Sequence, residues 1–154
     1  MKNYSRYLLE IVVVFAWPRI SRQVIVPADV KLHRLHEVIQ KAVGTSLFDC
    51  DFFVVCGGSV YASSPWTQLV RIKAATHVRL DRLLHRPTDR LVYFCGDDEK
   101  WEHDISLLRV VREKLKHRSA IHFISSSLGT TPRLAHRSDF RLSAINEPFR
   151  SAEV

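Results

Sequence analysis

Cysteine is scarce and irregularly placed: Cys50, Cys56 and Cys95 are the only three, and no Cys-x-x-Cys pair occurs. That pattern excludes a disulfide framework and points to a reducing, cytoplasmic compartment. Five glycines and six prolines in 154 residues exclude a linker-rich composition, and no internal repeat or low-complexity tract stands out. Long hydrophobic runs are missing too. The most apolar stretch, Leu8–Trp17, is interrupted by Glu10 and ended by Pro18, with no small-x-small cleavage site after it. It therefore reads as a core strand and not as a signal peptide or membrane span.

Catalytic signatures are equally sparse. There is no Gly-rich phosphate loop, no nucleophile elbow around a serine and no identifiable base beside a cysteine. His36, Cys50, Cys95, Asp97 and His103 are the residues able to hold zinc, yet they contain no close ligand pair such as Cys-x-x-Cys or His-x-x-x-His. The expectation is a non-enzyme with no metal and no cofactor. Helix-turn-helix, zinc-finger and RNA-binding aromatic motifs are absent as well, which argues against sequence-specific DNA reading.

What is present is an ordinary folded composition, 46% hydrophobic and 25% charged, in a chain long enough to bury a real core. Leu8–Trp17 and Ile20–Val26 read as a hairpin, and Asp29 stands where a helix cap is expected. Leu32, Leu35, Ile39 and Val43 then form one stripe at 100° per residue, with Arg34, Glu37 and Lys41 opposite and Gly44 as terminator. Phe52–Cys56, Val60–Tyr61, Arg90–Cys95 and Trp101–Val110 read as further strands. Leu80, Leu83 and Leu84 suggest a short second helix, and Ile121–Ile124 one more short strand. This order predicts an α+β fold, a grasp-like β-β-α-β roll in which a long amphipathic helix packs across a mixed sheet. Residues 1–111 form the expected core domain and 112–154 a basic C-terminal extension.

Charge supports that division. Residues 1–108 carry fourteen Lys/Arg against twelve Asp/Glu, whereas 109–154 carry nine against four. Arg112, Lys114, Lys116 and Arg118 recur every second residue, a spacing that shares one face of a strand. Arg133, Arg137 and Arg141 recur every fourth, a spacing that a helix aligns. Cations so placed neutralise phosphates without reading bases.

Two motifs carry a family resemblance. Val26-Pro27 precedes Leu35-His36-Glu37-Val38-Ile39-Gln40, and Cys95-Gly96-Asp97 is followed, after a small insertion, by Trp101-Glu102-His103. Over about residues 8–111 the chain resembles the Ri-plasmid open-reading-frame-three-like family of plasmid and insertion-element passenger proteins. It is a divergent member. Ile20-Ser21-Arg22-Gln23 stands where the family has Trp-Arg-Arg, and Phe48-Asp49-Cys50-Asp51-Phe52 lacks the two family histidines of that stretch. The resemblance implies a mobile-element setting and no particular activity.

Trp101, His103, Ile105 and Leu107 share one strand face and are expected in the core. Asp97, Asp98 and Glu99, with Trp101 at their base, form a second candidate, an acidic recognition turn. The combined expectation is a non-enzymatic accessory protein of a plasmid, phage or insertion element. Its first candidate partner is nucleic acid or a nucleoprotein complex, met by the basic residues. The alternative is an inhibitor or adaptor docking on a host or defence protein.

Overall fold

The computed structural model describes residues 2–14, 16, 19–45, 50–64, 72–96, 101–116 and 121–124. The strands are β1 (Lys2–Val13), β2 (Ser21–Pro27), β3 (Phe52–Cys56), β4 (Ser59–Ala62), β5 (Ile72–Ala74), β6 (Arg90–Cys95), β7 (Trp101–Leu115) and β8 (His122–Ile124). They form one eight-stranded sheet in the order β5-β4-β3-β6-β7-β1-β2-β8. All neighbours are antiparallel except β4 and β5.

This architecture overturns the expected α+β roll. Among the described residues there is one α-helix, α1 (Leu32–Val43), and it is only 12 residues long. The predicted second helix is a three-residue 3-10 turn, Leu80–Arg82. At about 1.5 Å per residue α1 spans about 18 Å, while seven gaps of about 4.8 Å make the sheet about 34 Å wide. The helix covers part of one face of a sheet that dominates the fold.

α1 forms because its stripe has a core to enter. Leu32, Leu35, Val38, Ile39 and Val43 are buried with the inward residues of the strands, chiefly Leu9, Ile11, Val24, Val26, Phe52, Val54, Leu91 and Ile105. Each such aliphatic side chain contributes about 1.5–3 kcal/mol on leaving water. Asp29 is not the cap. Lys31 occupies that position without a side-chain bond, and the Leu32 N–H donates to the Val78 carbonyl at 2.9 Å. A neighbouring segment thus satisfies a donor that a capping side chain serves elsewhere. At the other end Gly44 turns left-handed at φ 83°, and its N–H and that of Thr45 both reach the Gln40 carbonyl at 3.0 Å.

β1 and β7 sit at the centre of the sheet and pair along almost their whole lengths. Their register shifts once: Leu9 faces Leu107 but Leu8 faces Arg109, leaving Leu108 unpaired as a β-bulge. Before the bulge, odd-numbered Trp101, His103, Ile105 and Leu107 are buried on the helix side. Beyond it, Val110, Arg112 and Lys114 pair with Tyr7, Ser5 and Asn3, so the even-numbered residues take that side. One extra residue exchanges the two faces of the strand.

The segment before β6 holds this irregularity in place. Thr88 N–H donates to the Leu107 carbonyl at 3.0 Å, and Leu107 N–H donates to the Asp89 carbonyl at 2.9 Å. The Asp89 carboxylate accepts from the backbone N–H groups of His85 and Arg86 at 2.8 and 3.1 Å, and these bonds hold its pKa below the ordinary value. Thr88 has φ 82° with a β-branched side chain, a conformation that costs about 1–2 kcal/mol. Replacing Thr88→Gly relieves that strain while keeping both backbone bonds. We expect the variant to be more stable by about 1 kcal/mol in urea titration; a loss of stability would mean that the Thr88 side chain supports the loop.

Candidate functional site

Two polar arrangements among the described residues bear on function: a buried layer between α1 and the sheet, and the far end of β7. The buried layer begins with sequence spacing. His36 and Gln40 are one helical turn apart, so both reach the sheet from the same face of α1. Beneath them β3, β6 and β7 align Phe52 with Cys95, Tyr93 with His103, and Cys95 with Trp101.

The Tyr93 hydroxyl sits at the centre of this layer. It accepts from Gln40 Nε2 at 2.8 Å and bonds His36 Nδ1. The Tyr93 hydroxyl has one proton to give and can accept from Gln40 at the same time, so it serves both helix side chains. Gln40 Nε2 also lies 3.1 Å from Cys95 Sγ, and its Oε1 accepts from the Thr45 hydroxyl. The His36 ring stacks on Phe52 at 4.6 Å and 14°. Burial, reinforced by Cys95, pushes the Tyr93 phenol well above its ordinary range, so it is a permanent neutral hydrogen-bonding group.

His103 is different. It is 0% exposed, and neither ring nitrogen meets a hydrogen-bond partner among the described residues. Its ring packs edge-on against Tyr93 at 5.1 Å. Desolvation lowers its pKa from 6.5 to about 4, with the backbone of Tyr93 and Trp101 drawing it part of the way back and His36 pushing it further down. Among the described residues no group of three or more His, Cys, Asp or Glu is placed to hold a metal ion. The layer is closed to solvent, and its chemistry is that of a polar core.

The far end of β7 faces water. Arg112, Lys114 and Lys116 are all exposed, and cross-strand pairing puts Arg112 beside Ser5 and Lys114 beside Asn3 on a single face. The acid of this stretch, Glu113, points to the other face, where Arg6 Nη1 bonds it at 3.2 Å. Next to Asn3 and Ser5 lies a shallow cleft of about 230 Å³, lined also by Tyr4, Arg6, Asp29, Arg79 and Asp81. There Arg79 is held by Asp81, which raises its pKa.

The expected basic residues therefore divide. Arg112 and Lys114 share one face of β7, and exposed Lys116 follows just past the strand's end at Leu115. Arg118, Arg133, Arg137 and Arg141 lie outside the described residues, as do Asp97, Asp98 and Glu99 of the acidic turn. Trp101 is 3% exposed and belongs to the core cluster. The charge excess is also more local than the division at residue 111 suggests. Residues 109–124 hold five Lys/Arg against one Asp/Glu, and residues 125–154 hold four against three. β7 continues through residue 111 to Leu115. Asn3 and Ser5, which complete the exposed face, carry no signal in a single sequence. Nor does the partnership of Gln40 with Tyr93, which is made 53 residues apart.

No helix among the described residues is long and apolar enough to cross a membrane. A sequence profile for the family described as Plasmid pRiA4b ORF-3-like protein matches residues 5–129. Among solved structures, the chain is similar to a crystal structure of a protein of unknown function from Methanosarcina mazei Go1. The likeness has a TM-score of 0.65 at 15% identity and covers 79% of this chain and 69% of that one. It supports the fold alone. No curated protein matches the sequence significantly.

Two consequences of the buried layer are measurable. The Tyr93→Phe substitution leaves His36 Nδ1 and a Gln40 N–H without their partner, and we expect it to cost about 1–3 kcal/mol in chemical denaturation. A near-neutral result would mean that the layer relaxes around the loss. For His103, the folded pKa of about 4 lies below the unfolded value of 6.5, so the unfolded chain takes up its proton first. Stability is full above pH 6.5 and falls by up to about 3 kcal/mol as pH drops toward 4. His103→Leu should flatten that window in unfolding titrations, and an unchanged pH profile would place the acid-sensitive group elsewhere.

Proposed function

This chain belongs to the plasmid pRiA4b ORF-3-like protein family, and from that premise we propose that it is a non-enzymatic accessory protein of a mobile genetic element that binds nucleic acid. The observation that carries the reading is the row of exposed Arg112, Lys114 and Lys116, with Glu113 turned away and held by Arg6. Arg112 and Lys114 stand about 6.8 Å apart along the strand, an interval that spans two of the roughly 3.4 Å steps between successive charges of one nucleic-acid strand, which suits a repeating polyanion. The family's printed description supplies the plasmid setting. The polar residues with the most perturbed surroundings, Tyr93 and His103, are sealed in the core, which favours a binding role over catalysis.

The test is a salt titration of binding to a labelled oligonucleotide, read by fluorescence anisotropy. Three neutralised phosphates predict a log–log slope of about −2.7 on duplex DNA. The triple variant Arg112→Gln, Lys114→Gln, Lys116→Gln should lose most of that slope. A charge-matched control, Lys41→Gln, Lys73→Gln, Arg82→Gln, alters exposed cations elsewhere and should keep it. Equal loss in both variants would reduce the effect to net charge. No binding at low salt would overturn the reading in favour of a protein-docking adaptor.

A further inference from the structure

The far ends of β1 and β7 are built differently from the rest of the sheet. Pairing of β2 with β1 stops at Arg6 and Pro27, and pairing of β6 with β7 stops at Arg90 and Ser106. The segment around Thr88 and Asp89 accompanies β7 as far as Leu107. Lys2–Ser5 and Arg112–Leu115 pair with each other beyond these points. On the outer side of β1, Ser5 accepts from Ala28 N–H at 2.9 Å. Past that bond no further strand flanks either side among the described residues. The sheet narrows from eight strands to a two-stranded antiparallel ribbon.

We propose that this ribbon docks in the major groove of duplex DNA, with the Asn3, Ser5, Arg112 and Lys114 face turned toward the groove. The inference rests on the nucleic-acid reading above and adds the partner's form and the mode of contact.

Dimensions support it first. Two strands about 4.8 Å apart, with side chains standing off both faces, make a ribbon about 10 Å thick, and four residues give it a length of about 13 Å. The major groove of B-form DNA is about 12 Å wide and about 8.5 Å deep and admits a two-stranded ribbon. The A-form groove of double-stranded RNA is deep and too narrow for side chains to read.

Chemistry supports it second. Ser5 faces Arg112 and Asn3 faces Lys114, so the four side chains make a block of hydrogen-bonding groups with no carboxylate among the ribbon's own residues on that face, while Asp29 and Asp81 line the cleft beside Asn3 and Ser5, where Asp81 is held by Arg79. Arginine and lysine donate to guanine O6 and N7 or to phosphate, and asparagine pairs with adenine. The ribbon's aromatic residue, Tyr4, pairs with Glu113 and lies on the opposite face. The cationic face thus has no aromatic platform for stacking unpaired bases, the feature that single-strand binders rely on. Third, the bulge at Leu108 sets this face. Without the extra residue, Arg112 and Lys114 would pair with Tyr4 and Lys2 on the face of Arg6, and Glu113 would stand opposite Asn3 in their place.

The experiment compares one sequence as duplex DNA, single-stranded DNA and double-stranded RNA at equal salt, using the full chain. Duplex DNA should bind tighter than either alternative by about tenfold or more. Dimethyl sulfate footprinting then asks where the protein sits, because guanine N7 lies in the major groove. Guanine methylation should fall across the bound duplex, and the Arg112→Gln, Lys114→Gln variant should lose both the protection and the duplex preference. Equal affinity for single and double strands, or duplex binding without N7 protection, overturns the groove assignment and leaves the nucleic-acid reading standing. Absence of binding to all three overturns the nucleic-acid reading itself.

Discussion

The pairing of β1 with β7 joins the two halves of the sheet. On one side of it lie β6, β3, β4 and β5, and on the other β2 and β8. Each half alone is a small set of short strands, too few to bury the residues that α1 brings down. Joined through twelve residues of β1, they present a continuous inward surface from Phe52 to Val26, and the helix stripe has somewhere to go. The bulge at Leu108 lies within this same pairing, so the register that builds the core also orients the exposed end of β7.

How much of this was legible depends on which residues carried a pattern. The α1 stripe, the inward face Trp101–Leu107 and the family resemblance were readable because periodicity and motif are local properties. The matched family profile reaches residues 5–129, beyond the stretch over which its motifs are visible by eye. The expected α+β roll errs in the direction that periodicity favours. A 12-residue amphipathic helix is conspicuous, whereas β5 has three residues and offers no alternation to count. The outer part of β1, Lys2–Ser5, and of β7, Arg112–Leu115, is polar and looked like flanking sequence. Its structure comes from cross-strand pairing, which no window along the chain contains. The strand spacing of Arg112, Lys114 and Lys116 is visible in the sequence, but the bulge that decides the face of Arg112 and Lys114 follows only from the register.

The buried layer illustrates a second limit. His36 and Gln40 sit on the apolar side of a helix, where a sequence reading finds a stray histidine and a stray amide. Tyr93 makes sense of both, since its hydroxyl bonds each of them. His103 has no such side-chain partner among the described residues, and burial, the largest influence on it, holds its pKa down. The two histidines thus occupy the same core under opposite terms: one is satisfied by a network, and the other is tolerated because the surrounding packing outweighs its cost.

The central pairing also fixes the order in which the protein can assemble during synthesis. β2 follows β1 by a few residues, so that hairpin can close as soon as both strands leave the ribosome. The other edge of β1 waits for β7, whose residues emerge about a hundred positions later. Until then the middle of the sheet is a temporary edge lined by Leu9, Ile11 and their neighbours, open to wrong partners. Completion of the core is therefore a late event governed by the last long strand to appear.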